Sequence, residues 1–208
     1  MAGKRISPKK RHWTPFVVIL AVAALVATIG GTMAWLTASP NGLTNTFTPA
    51  NVYAEVQESF DGTTKSNVKV YNGYTDEKGN KHNSDAPVYI RVALVPTWED
   101  DSNTAVAIPA SLSDLNITFG SAKWVLSSDG YYYYTEKVAA GGTTEALITS
   151  ATVNEDSAGY QAGYHMNLQV LAQNIQAEPD EAVRDAWETG VSAVDNGFLT
   201  IIAPAVGN

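Results

Sequence analysis

From Leu43 onward, apolar side chains return at every second position more often than at every third or fourth. Successive side chains of a strand point to opposite faces, so this period admits half-buried strands and excludes a helical bundle. In residues 51–59, Val52, Ala54 and Val56 share one face while Tyr53, Glu55 and Gln57 take the other. Residues 68–71 repeat the pattern. So do residues 164–176, where Met166, Leu168, Val170 and Ala172 oppose His165, Asn167 and Gln169. Residues 87–96 are nearly continuous apolar and β-branched sequence between two prolines, which reads as a central strand ending at Pro96. Shorter strands are expected at 116–119, 122–126, 130–137, 146–153 and 198–203. Ser127-Ser128-Asp129-Gly130 supplies hairpin turn chemistry, because Asp-Gly tolerates positive φ.

The polar stretch 72–85 reads as a solvated loop. One helix is expected at 178–188, with Pro179 in its first turn and acidic residues near its positive end. Val183, Ala186 and Trp187 form its buried stripe, and Gly190 stops it. The pattern therefore predicts an all-β fold: a jelly-roll-type β-sandwich with one short helix near the C-terminus. That sandwich occupies residues 51–208 and follows an extended segment at 35–50.

A different kind of sequence precedes it. Lys4, Arg5, Lys9, Lys10 and Arg11 lead into an apolar run from Phe16 to Ala27, then Gly30-Gly31-Thr32 and Met33-Ala34-Trp35. A basic end, a short apolar middle and small residues at the exit are the build of a secretory signal-peptide helix, residues 1–34. Thr32 and Ala34 supply the small side chains a signal peptidase needs, which places the cut before Trp35. The other reading is a retained anchor, since residues 15–36 just reach the ~20 residues a membrane span requires if the Gly30-Gly31-Thr32 break is tolerated. Either way the body lies outside the cell, and the membrane is met only through the leader.

Removing the leader leaves about 174 residues, enough for one domain with a full core. It also removes five of the 13 basic residues and none of the 21 acidic ones, leaving 8 − 21 = −13. Nucleic acid is excluded as a partner by that sign. With no cysteine, neither disulfides nor a lipidated N-terminal Cys is available, and no Leu-Pro-x-Thr-Gly sorting motif appears.

Chemistry is sparse, and no enzyme is expected. There is no His-Glu-x-x-His pair, no Gly-x-Ser-x-Gly elbow and no phosphate loop. His82 sits in the polar loop, and His165 reads as a partly exposed strand residue. Glu99-Asp100-Asp101 and residues 76–80 carry oxygen ligands, but not at EF-hand spacing, and read as solvated turns. No cofactor or metal is expected. Tyr131, Tyr132, Tyr133 and Tyr134 are the most unusual run. Alternation would send two inward and leave two on the surface, where they pack in pairs or form an aromatic patch. That patch carries the alternative reading, a cell-surface binding module for carbohydrate or a host ligand.

Residues 30–37, with Asn45-Thr46-Phe47-Thr48 and Asn51-Val52, resemble the leader junction of the TasA/camelysin family of exported Gram-positive proteins. Residues 87–98, 129–134 and 171–187 resemble segments of its SipW-dependent biofilm-matrix branch. The similarity spans roughly residues 30 to 190. The resemblance implies processing by a SipW-type signal peptidase. It also implies secretion as a jelly-roll subunit that polymerises with copies of itself, and with other matrix proteins, into extracellular fibres. In relatives the mature N-terminal segment adds as a strand to the next subunit. Here the matching residues are Trp35, Leu36, Leu43 and Phe47, in a stretch without charge. Some relatives are labelled metalloendopeptidases; this chain lacks a recognisable zinc set, so that activity is not carried over.

Overall fold

The computed structural model describes residues 50–100 and 108–205. The chain divides into two compact units, residues 1–48 and 49–208, and the description concerns the second. The signal-peptide helix and the residues Thr32, Ala34, Trp35, Leu36, Leu43 and Phe47 lie outside the described residues.

Among the described residues the fold is all-β, with one α-helix and one 3-10 turn. The strands are β1 (Glu55–Phe60), β2 (Lys65–Tyr71), β3 (Gly73–Thr75), β4 (Lys81–Asn83), β5 (Val88–Glu99), β6 (Ile108–Pro109) and β7 (Leu115–Phe119). They continue as β8 (Trp124–Leu126), β9 (Tyr132–Val138), β10 (Ile148–Val153) and β11 (His165–Gln176). Helix α1 (Asp180–Ala186) follows, then β12 (Val191–Asp195) and β13 (Phe198–Ile201). One antiparallel sheet has the order β1-β2-β10-β7. The other runs β11-β5-β9-β13-β12, with β6 against β5 and β8 against β9; β3 and β4 form a separate hairpin.

The two sheets face each other across one core. Val68, Val70 and Ile148 of the first meet Val88, Ile90, Val92 and Tyr134 of the second. Period two explains this half of the pattern; the continuous apolar run of β5 needs a second cover. That cover is α1, which packs Val183 and Trp187 onto Tyr89 and Tyr133 on the outer face of the second sheet. No helix among the described residues is long and apolar enough to cross a membrane.

Several expectations are corrected. Strand β5 does not stop at Pro96 but runs on to Glu99. Its pairing with β9 ends at Val92 and that with β6 starts at Thr97, so Pro96 lacks its N–H where no ladder bond is needed. The stretch 72–85 is not simply a solvated loop: it holds the β3–β4 hairpin and the fully buried Asn72. The Asn72 Nδ2 group donates to the carbonyls of Ala86, Val138 and Ala139 at 3.0–3.1 Å, tying the hairpin base to β9. Helix α1 is shorter than expected, and Ala186 is exposed. Two turns present only one i, i+4 pair to the sheet, Val183 and Trp187. The first strand begins at Glu55, although Val52 and Ala54 already pack against the core.

Candidate assembly edge

The first sheet ends on β1 and the second on β11, and these two strands lie on the same side of the sandwich. Among the described residues β1 pairs only with β2, and β11 only with β5. A seam therefore runs between two edges that have no further strand partner among the described residues. At one end it widens into a groove of about 630 Å³ lined by Phe60, Thr63, Tyr160, Tyr164 and Met166. Further along, Val56, Glu58, Lys65, Leu168 and Val170 line a second opening of about 350 Å³. Lys65 and Leu168 also border the narrow gap that reaches Phe60 and Met166.

The two edges differ in kind. Exposed edge strands are normally guarded against adventitious pairing by charge, proline, a bulge or shortness. β1 has such guards: Glu55 and Glu58, with a bulge between Gln57 and Ser59. β11 has none. Its twelve residues, HMNLQVLAQNIQ, contain no Asp, Glu, Lys or Arg. Its register with β5 is unbroken from His165 opposite Glu99 to Gln176 opposite Val88. Its outer face carries Leu171, 50% exposed, beside Val95 at 37%.

At the start of β11, Glu99 is engaged by its neighbours. Asn167 Nδ2 donates to Glu99 Oε1 at 2.7 Å, and His165 Nε2 stands 3.5 Å from Oε2. This carboxylate serves the strand pair; Asp101, its neighbour in the expected solvated turn, lies outside the described residues. Asp76 is similarly committed. It accepts from the side chain and main-chain N–H of Asn80 and from Lys78 N–H, and faces His82 Nε2 at 3.2 Å. The Asn80 bonds, with His82, hold its carboxyl well below the usual range. It closes the β3–β4 turn. No group of three metal-ligating His, Asp or Glu occurs among the described residues.

The four tyrosines do not form a surface patch. Tyr132 and Tyr134 enter the core between the sheets, as alternation requires. Tyr133 points the other way, yet is fully buried beneath α1, and Tyr131 is half-buried at its margin. Arg91 gathers them. Its guanidinium lies 4.1 Å from the Tyr131 ring centre and 5.1 Å from that of Trp187. Its Nη1 donates to Tyr133 Oη at 2.9 Å and its Nε to Gln173 Oε1 at 2.9 Å. Tyr133 Oη in turn donates to Asp129 Oδ2 at 2.7 Å. Burial, with Asp129 adding to it against the opposing pull of Arg91, pushes the Tyr133 hydroxyl up to about 12. This is a packing hub that fastens α1 to β5 and β9.

Sequence reasoning recognised β11 as a strand but not as an edge. No local signal marked the edge: alternation gives β11 its faces, and a strand without Asp, Glu, Lys or Arg reads as an interior one, since edges are usually charged. Comparison with protein families, with characterised proteins and with solved structures returned no match. The described residues define a class of architecture: an antiparallel two-sheet sandwich whose edge strand β11 carries no Asp, Glu, Lys or Arg.

Proposed function

We propose that this chain is a structural subunit of an extracellular matrix or fibre. In this reading it is exported, freed of its leader before Trp35, and polymerised by strand addition, with a jelly-roll body as the repeating unit. The observation that supports the reading is the uncharged, regular, unpaired edge of β11 facing an open seam. An added strand satisfies the outward main-chain groups of such an edge, while pockets along it select side chains and register. The donor is the uncharged segment 35–47, with Trp35, Leu36, Leu43 and Phe47 as its apolar residues. A head-to-tail contact of this kind does not close on itself and yields a filament.

The test places one charge on the unguarded edge. Leu171→Lys alters an exposed side chain, so folding stability should stay within about 0.5 kcal/mol of the parent. Polymer visible by electron microscopy and sedimentation should be lost, as it should on deletion of residues 35–47. Undiminished fibres in both variants would refute assembly through this edge.

A further inference from the structure

We infer that the seam accepts its donor in one direction and register: Leu43, Asn45 and Phe47 of a second copy lie opposite Val170, Leu168 and Met166, antiparallel to β11. This rests on the fibre reading and adds to it which copy donates and which side chain fills which opening.

Three observations converge. First, across the seam β1 presents Val56, Glu58 and Phe60 in succession, an apolar, charged, apolar row. Residues 43–48 alternate in kind: Leu43, Asn45 and Phe47 on one face, Thr44, Thr46 and Thr48 on the other. Leu43 and Phe47 are four residues apart, as are Val170 and Met166, so the two anchor spacings agree. The central Asn45 then falls beside the Glu58–Lys65 ion pair, where its amide both donates and accepts.

Second, the two openings differ in size and lining. The groove of about 630 Å³ is aromatic, with Phe60, Tyr160 and Tyr164, and suits Phe47 through offset or edge-to-face ring contacts. The opening of about 350 Å³ between Val56 and Val170 suits Leu43. This ordering runs the donor from the Val170 end toward the Met166 end. It is antiparallel to β11 and therefore parallel to β1 across the seam, so the side-chain fit rather than ladder geometry selects the direction.

Third, that direction decides the source of the strand. With Phe47 beside Phe60, the same chain would have to return to Val52 in five residues, which span at most about 18 Å. Val52 and Phe60 are eight residues apart along nearly extended chain, about 26 Å at strand rise. A chain cannot fill its own seam in this register. The reverse, parallel register would permit self-filling and end growth.

The chain has no cysteine, so introduced pairs report register without background. The full chain is exported from a Gram-positive host, collected from the medium and oxidised mildly with copper phenanthroline. Thr46→Cys with Asn167→Cys places the two thiols opposite each other in the antiparallel register. Thr44→Cys with Asn167→Cys does so in the parallel one. Opposed strand residues stand about 4.5–5.5 Å apart at Cα, within the ~4.4–6.8 Å of a disulfide.

The expected result is a ladder of disulfide-linked multimers from the first pair and at least tenfold less from the second. A ladder from the second pair overturns the register, as does an intrachain disulfide from the first. Fibres that still require residues 35–47 but link through neither pair overturn it too, leaving the fibre reading standing. Fibres that form without residues 35–47 remove the reading itself. Should Asn167→Cys fail to fold, Gln169→Cys repeats the test with Thr44→Cys as the antiparallel partner and Thr46→Cys as the parallel one.

Discussion

Tyr133 shows how much one side chain can organise. Its ring packs edge-on to Trp187 at 5.4 Å between centres, while its hydroxyl bridges Arg91 and Asp129. The backbone of Gly190 closes over that hydroxyl. A Cβ there would lie 2.2 Å from Tyr133 Oη and 2.7 Å from Asp129 Oδ2. In the sequence this glycine reads as a helix stop; in the fold, close approach is what demands it. Gly190→Ala should therefore cost about 1–3 kcal/mol, the usual penalty of overpacking, read as a lower urea midpoint at unchanged slope. The tyrosine run was half legible for a similar reason. Alternation assigns Tyr132 and Tyr134 to one face and Tyr133 to the other, correctly. What covers the second face arrives with Val183 and Trp187, about fifty residues on, and no local pattern reports it.

Among elements, α1 is the least able to stand alone. Seven residues are too few for an isolated helix in water, so its existence depends on the sheet beneath it. Asp180 and Glu181 favour its first turn electrostatically, but burial of Val183 and Trp187 decides the matter. Trp187→Ala should destabilise the protein by about 3–5 kcal/mol. Hydrogen exchange should show protection lost first in α1, β12 and β13, and retained in β2 and β10, whose core faces the other way. Strong alternation made β1, β2 and β11 readable in the sequence. The β3–β4 hairpin was not, because its three-residue strands are mostly exposed and polar and carry no apolar period. The seam was legible only in part. Periodicity gives a strand its faces, but its neighbours follow from long-range pairing.

At the scale of the whole molecule, carboxylates set the acid limit. Asp114 caps the turn before β7, accepting from Ser111 N–H and from Ser157 Oγ, and these bonds hold its carboxyl below the usual value. Asp61 and Asp76 are lowered in the same way by turn N–H groups and neighbouring side chains, and Glu145 by Lys123. Each favours the folded state while ionised. That contribution is complete above the ordinary carboxylate range, near pH 4. It fades as pH falls below that range and through the lowered folded values. Urea midpoints should be flat from pH 7 to about 5 and drop progressively below about 4. A midpoint that rose on acidification would contradict the assigned directions.

The unshut side of the sandwich has a consequence for timing. In the proposed assembly, a subunit whose edge strand finds its complement in another molecule is poorest in contacts when dilute. In the proposed strand-addition polymer every step makes the same single contact, so chain length rises smoothly with subunit concentration and no lag precedes growth. Such a material needs no catalyst to start it. On the proposed reading, the local supply of fresh subunits decides where and when it thickens.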